Sequence, residues 1–321
     1  GDVLSNPGPV YIRTYTPATG VFATEPVGGN GYVLEEELSR LLFLSGLVTL
    51  GIDPEESQDL GNYYYLSPFT GLWYKYRNIP NAVHVLDMVR DLSTPKLLVA
   101  GSMTLPSSGV QYSFDEGNSW TNVTCNGAQC PTGRYYYFFE LVGKLYVQSR
   151  DDLAITRIYE YNSAANNLVE MSSAVTNVMM PGNARRMSDS NPFASGIVYL
   201  AGSIDGGFHP EPAYLMYATA MGSASNVTLP LVGGGIPRDI LVIGNTLYLV
   251  QQQTSGDFWN SVYKTTDLVN WTLVMYFQTI PANGFARSFT YDNGYFYFGL
   301  GTYTTPLSNA SGWLVRIAYT P

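Results

Sequence analysis

Charge is scarce in this sequence. Of 321 residues, 16 are Lys or Arg and 25 are Asp or Glu, so charged residues make up 13% of the chain, about half the usual share. Only four of the cations are lysines, and histidine and cysteine occur twice each. A net charge of −9 with so few cations excludes general nucleic-acid binding, which needs a basic footprint. Long apolar runs are missing too. The longest, from Leu41 to Ile52, is too short to span a bilayer, so no membrane insertion is expected. The N-terminus shows no signal peptide, and a cleaved one leaves no trace. P-loop, G-x-S-x-G and strand–helix G-x-G-x-x-G patterns are absent, so no cofactor is expected. The glycines from Gly233 to Gly235 read as a connection between strands.

What is abundant is apolar and aromatic. Hydrophobic residues are 45% of the chain, with 26 Tyr, 32 Gly and 19 Pro. That composition buries a large core and excludes disorder. The two cysteines, Cys125 and Cys130, flank an Asn126-Gly127 turn that brings their sulfurs within bonding reach. A disulfide there implies an oxidising compartment; two loop thiols are the alternative. Four N-x-S/T sequons, at Asn122, Asn226, Asn270 and Asn309, point the same way. An extracellular or surface-displayed glycoprotein is therefore expected.

The main signal is a repeat. A short apolar pattern recurs as LVTLGI at Leu47, KLLVAG at Lys96, KLYVQS at Lys144, IVYLAG at Ile197, TLYLVQ at Thr246 and YFYFGL at Tyr295. Starts are 48 to 53 residues apart. Another strand pattern precedes each copy, such as VHVLDMV from Val83, and a hairpin pattern follows, such as YSFDEGNSWTNV from Tyr112. About four short strands per period is the signature of a β-propeller blade, because a small sheet buries both faces only between neighbours. Six anchors predict an all-β, six-bladed propeller forming a single domain over residues 1–321. The N-terminal segment from Val10 is expected to close the last blade, removing two open edges. A seventh, partial blade is the alternative. Leu34 to Val48 also fits an amphipathic helix, but the spacing of the repeat argues for strands there.

Ser113 to Trp120, SFDEGNSW, resembles the Asp-box, S-x-D-x-G-x-[ST]-W. Thr266 to Trp271 resembles a shorter version without the Gly. The chain is thus similar, at the level of fold, to the sialidase-like class of Asp-box propellers. With Ser113 opening the motif, the resemblance implies that Asp115 bonds turn amides, that Gly117 takes a backbone shape other residues avoid, and that Trp120 packs between strands. The motif is structural and carries no catalytic role. TTDLVNWT also resembles a segment of arabinanase-like propellers, whose five blades do not match six anchors. Tyr76 to Pro80, YRNIP, resembles the Y-R-I-P motif of sialidases with Asn78 inserted, and one extra residue flips the faces of a strand.

In such propellers the first strand of each blade lines a central channel. Arg134, Arg186, Arg238 and Arg287 recur at or near those strands, as do His84 and Asp87. Converging arginines make an anion site that holds carboxylates bidentately; local pairing, as of Arg238 with Asp239, is the alternative. His84 and Asp87 are three apart, so on a regular strand they face opposite sides, which argues against a dyad. Asp205, His209 and Glu211 share a loop rich in Gly and Pro, and no metal is expected there. No catalytic residue is assignable. Two functions remain open. The first is a binding or structural module for a glycan or protein ligand, or for self-assembly in an extracellular or virion-surface array. The alternative is a hydrolase or lyase acting on an anionic glycan through an Arg-lined channel.

Overall fold

The computed structural model describes residues 11–27, 37–44, 46–52, 60–80, 84–91, 93–102, 109–128, 130–131, 133–151, 156–171, 196–202, 212–220, 223–230, 235–253, 259–279, 284–301 and 313–321. Every helix or strand among them is a β-strand. The strands divide between two compact units, Gly1–Ser172 and Ser173–Pro321.

In the first unit, β1 (Tyr11–Thr16) and β2 (Val21–Pro26) form a hairpin. A four-stranded antiparallel sheet follows, from β3 (Glu37–Phe43), β4 (Leu47–Ile52), β5 (Leu60–Leu66) and β6 (Trp73–Pro80). The next sheet holds β7 (His84–Arg90), β8 (Leu97–Ser102), β9 (Val110–Ser113) and β10 (Thr121–Asn122). After a short β11 (Thr124–Cys125) comes a third sheet of β12 (Gly133–Leu141), β13 (Lys144–Asp151), β14 (Thr156–Asn162) and β15 (Asn167–Glu170). The pairing of Arg134 with Ser102 joins it to the second, so the two four-stranded sets and β11 are continuous as one nine-stranded sheet.

The second unit repeats the plan. It contains β16 (Ile197–Gly202), β17 (Pro212–Ala218) and β18 (Ser225–Val227) in one sheet. Another holds β19 (Gly235–Ile243), β20 (Thr246–Gln253), β21 (Trp259–Thr265) and β22 (Thr272–Gln278). The last comprises β23 (Phe285–Asp292), β24 (Tyr295–Gly301) and β25 (Leu314–Ala318).

All six anchors of the sequence repeat are strands: β4, β8, β13, β16, β20 and β24. They read as continuous apolar runs because both their faces are packed. On β8, Leu97 and Val99 join the core shared with β4 and β5, while Leu98 and Ala100 join the core shared with β13 and β14. On β20, Leu247 and Leu249 pack with Val198, Leu200 and Leu215, while Tyr248 and Val250 pack with Phe289, Phe296 and Phe298. The stretch from Glu37 to Phe43, open to a helical reading, is a strand paired with β4. Since β4 also pairs with β5, a helix there would strip β4 of one ladder.

A second repeat was invisible to pattern counting. Each of the five described first strands carries a bulge against its second strand. It falls between Leu38 and Arg40, Val85 and Asp87, Tyr135 and Tyr137, Pro237 and Asp239, and Ala286 and Ser288. A bulge bends its strand and re-aims the next residue. In two sheets that residue is a buried aspartate. Asp87 accepts hydrogen bonds from the amides of Met88 (2.8 Å) and Phe138 (2.7 Å), the latter on β12 of the next sheet. Asp239 does the same with Ile240 (3.0 Å) and Phe289 (2.9 Å) on β23. One carboxylate thus braces two neighbouring sheets in each unit.

Cys125 and Cys130 are disulfide-bonded, 4.6 Å apart at Cα, and buried beside Tyr135 and Leu168. Their hairpin turns through Asn126 and Gly127, both at positive φ (50° and 78°). It lays β11 parallel to β15, so the second sheet lends a strand to the edge of the third.

Candidate binding cleft

The described cleft of note lies in the first unit, between the first two four-stranded sheets. It has a volume of about 210 Å³ and is lined by Leu44, Val48, Tyr63, Tyr65, Tyr76, Met88, Arg90, Leu97 and Glu116. Val48, Met88 and Leu97 are buried and form an apolar floor. Tyr63 and Tyr65 sit two apart on β5 and therefore share a face. Tyr64 between them points away, into a cluster with Val27 and Trp73. Tyr76 of β6 stacks on Tyr63, with centroids 4.8 Å apart and planes at 9°.

Two glycines make room for these rings. A Cβ on Gly46 would lie 2.3 Å from the Tyr65 ring, and one on Gly117 would lie 2.3 Å from the Tyr63 hydroxyl. Burial first, then the neighbouring Tyr76, Glu116 and Asp115, push the Tyr63 hydroxyl far above its usual pKa, so it stays neutral. At the rim Arg90 grips Glu116 with two parallel hydrogen bonds, Nη1 to Oε1 at 2.9 Å and Nη2 to Oε2 at 2.5 Å. That pairing holds the carboxyl of Glu116 below its usual range and the guanidinium of Arg90 above its own. The pair is half exposed and carries no net charge.

Glu116 is placed by the turn from Ser113 to Trp120. Ser113 Oγ donates to Asp115 (2.7 Å) and accepts from the amide of Gly117 (2.8 Å). Asp115 accepts from the amide and hydroxyl of Ser119 (2.9 and 2.6 Å). These bonds, led by the Ser119 hydroxyl, draw the Asp115 carboxyl from its ordinary 3.8 down to about 2. Glu116 and Gly117 both have positive φ (57° and 88°). Trp120 lies edge-on to Tyr63 at 6.4 Å and donates its indole N–H to Asn78. Asn78, the inserted residue of YRNIP, is the bulged residue of β6, between the paired positions Arg77 and Ile79. Its amide also donates to the carbonyl of Gly117 at 2.6 Å. Asn78 thus serves as a clamp between sheets.

Thr265 to Trp271 forms a turn of the same bonding plan. Thr265 Oγ1 donates to Asp267, Asp267 accepts from the amides of Val269 and Asn270, and Trp271 donates to the carbonyl of Thr228. Hydrogen bonds from the side chain and amide of Asn270 hold the Asp267 carboxyl far below its usual range. Leu268 takes the positive-φ place (63°).

The residues singled out at the channel are distributed as follows. Asp87 is buried and bonded to two amides, as described. Arg238 is 4% exposed and donates through Nε to Gln252 Oε1 at 2.7 Å. Arg287 is half-buried at the bulge of β23. Arg134 and His84 both lie opposite Ser102 of β8. Arg186, the Asp205–His209–Glu211 loop and Asn309 fall outside the described residues. The strand is bulged between Val85 and Asp87, so the regular alternation assumed for His84 and Asp87 does not run through this stretch; the side chains of His84 and Arg134 lie outside the described ones. Asn122 and Asn226 are exposed on β10 and β18, whereas Asn270 donates its side-chain amide to Asp267 at 2.8 Å. Among the described residues no cluster of three His, Cys, Asp or Glu side chains suits a metal ion.

The cleft residues themselves escaped the sequence reading. Their one signal was the run Tyr63-Tyr64-Tyr65, since alternation on a strand sends two of the three rings to one side. Arg90 and Glu116 come from a strand end and a turn, and no spacing rule joins them. Neither a protein-family model nor a curated protein matches the chain.

Proposed function

We propose that the chain is a secreted or surface-displayed binding module for a glycan or protein ligand. We read its repeated sheets as a six-bladed propeller of the Asp-box type, with the N-terminal hairpin completing the last blade. The observation that carries the binding function is the tyrosine-walled cleft with its neutral ion pair, a concave, mostly apolar site with a few placed polar groups. The buried disulfide supports an oxidising compartment. Shared cores on both faces of β8 and β20 and the bulge repeated in every described first strand support the blade reading.

The alternative, a hydrolase or lyase working on an anionic glycan, needs arginines free to grip a carboxylate. Arg238, buried inside the sheet, instead donates through Nε and Nη2 to Gln252. A glycan array read with the full chain, alongside turnover assays on a panel of glycoside and uronide substrates, separates the two. Saturable binding without turnover is expected. Turnover abolished by Arg238→Ala with the fold intact would overturn the binding-module reading. Scattering at increasing protein concentration tests self-assembly.

A further inference from the structure

Which ligand class fits the cleft follows from its charge, size and floor. A charged ligand meets a poor site. Arg90 and Glu116 are bound to each other through two hydrogen bonds, so the rim has no net charge, and an anion or a cation bound there meets the member of its own sign beside the one that attracts it. A neutral ligand with hydroxyls can use both members as they stand, since the guanidinium offers further donors and the carboxylate further lone pairs. The volume, about 210 Å³, lies below the ~300–1,000 Å³ of pockets for drug-sized ligands, which suits one sugar ring. The walls are tyrosines, flat and amphipathic. Beneath them the floor of Val48, Met88 and Leu97 offers no polar partner, so it matches a methyl group and wastes a hydroxyl.

We propose that this cleft binds a single neutral pyranose bearing a methyl or N-acetyl group, with that group on the floor and the ring hydroxyls at the Arg90–Glu116 rim. This rests on the binding-module reading and sharpens it to a ligand class. The wall is rigid: Tyr76 is backed by Tyr63, whose hydroxyl donates to the Glu116 carbonyl at 3.5 Å and whose edge meets Trp120. Ring positions, turn and ion pair are therefore one assembly, and Glu116 sets both the shape of the turn and the charge of the rim.

The test uses the full chain labelled with 13C at its methionine methyl groups. Met88 in the floor is the reporter, assigned by Met88→Leu. The probes are methyl N-acetyl-β-glucosaminide, methyl α-fucoside, methyl β-glucoside and N-acetylneuraminic acid. At least one of the first two should shift the Met88 methyl saturably. Methyl β-glucoside, which has neither the N-acetyl group nor the 6-deoxy methyl and whose anomeric methyl is common to all three glycosides, should bind about tenfold more weakly, and N-acetylneuraminic acid more weakly still. Leu44→Trp, which fills the cleft from its half-buried edge, should abolish the shift while other methyl resonances stay in place. Glu116→Gln leaves Arg90 without its counter-charge and should raise the affinity for N-acetylneuraminic acid relative to the neutral sugars. Several results overturn the proposal: no Met88 shift with either substituted sugar, equal binding of the anionic sugar by the unaltered chain, or binding that survives Leu44→Trp. A silent cleft with a positive array would sink this ligand assignment alone. A silent cleft and a silent array, with no turnover, would remove the glycan arm of the proposed function as well.

Discussion

Replacing Asp87 by Ala should cost the first unit about 3 kcal/mol. The carboxylate is 2% exposed and accepts two backbone amides, one on its own strand and one on β12, 51 residues later. Hydrogen bonds to a charged acceptor contribute about 1.5–3 kcal/mol each, and a buried amide left unpaired costs about 1–3 kcal/mol. Relief of the desolvation of one carboxylate offsets part of that sum, which brings the net to about 3 kcal/mol. Asp87→Asn keeps one acceptor but turns an N–H2 toward the other amide, so it should lose most of the same stability. Urea unfolding gives the magnitude, and hydrogen exchange at the Phe138 amide gives the location. The expected result is a lower midpoint with the slope unchanged, and exchange at Phe138 that accelerates more than at Phe139. A loss under about 1 kcal/mol, the ordinary size for an unremarkable substitution, or unchanged protection at Phe138, would refute the brace. Asp239→Ala, read at the Phe289 amide, repeats the experiment in the second unit.

Other perturbations probe the turns and the disulfide. The Asp115 pKa is lowered from 3.8 to about 2 in the folded chain, so its stabilising bonds are in place above the unfolded pKa and are lost as pH falls toward 2. Melting temperature should drop in that window for the unaltered chain and be flatter there for Asp115→Asn. Gly117→Ala places a side chain at φ 88° and a Cβ 2.3 Å from the Tyr63 hydroxyl. It should cost more than the ~1–2 kcal/mol of the backbone conformation alone, as read by thermal or urea melts. Replacing both Cys125 and Cys130 by Ser opens a six-residue loop and should remove about 2 kcal/mol by the chain-entropy relation, with mass spectrometry confirming the bond in the parent chain. Expressed in a secretory host, glycan occupancy by peptide mapping should be higher at Asn122 and Asn226 than at Asn270, whose amide is committed to Asp267.

The part of the fold that was legible is the part governed by burial. Leu47, Lys96, Lys144, Ile197, Thr246 and Tyr295 mark strands because a strand packed on both faces must be apolar throughout, and a two-faced run stands out from alternating neighbours. What stayed hidden depends on single residues out of register. The bulges at Val85–Asp87 and Pro237–Asp239 leave no compositional mark, and yet they decide which way the following Asp points. An aspartate inside VHVLDMV reads as a channel group as readily as a brace. The matching aspartate at Asp239, also just ahead of an anchor strand, was the clue that one structural role recurs. Asn78 shows the same logic in reverse. As an insertion it spoils a resemblance to a catalytic motif, and as a bulge it fastens Trp120 and the Gly117 carbonyl to the neighbouring sheet. The cleft is the product of these devices. Arg90 and Glu116 are 26 residues apart and meet because the Ser113–Trp120 turn is pinned by Asn78. It follows that Asn78→Ala should loosen the rim without touching it: Trp120 loses its indole acceptor, and the Arg90–Glu116 pair should lose order. Side-chain exchange and cross-peaks at Arg90 Nε would report this directly. A rim as ordered in that variant as in the parent chain would show that the turn stands without its clamp.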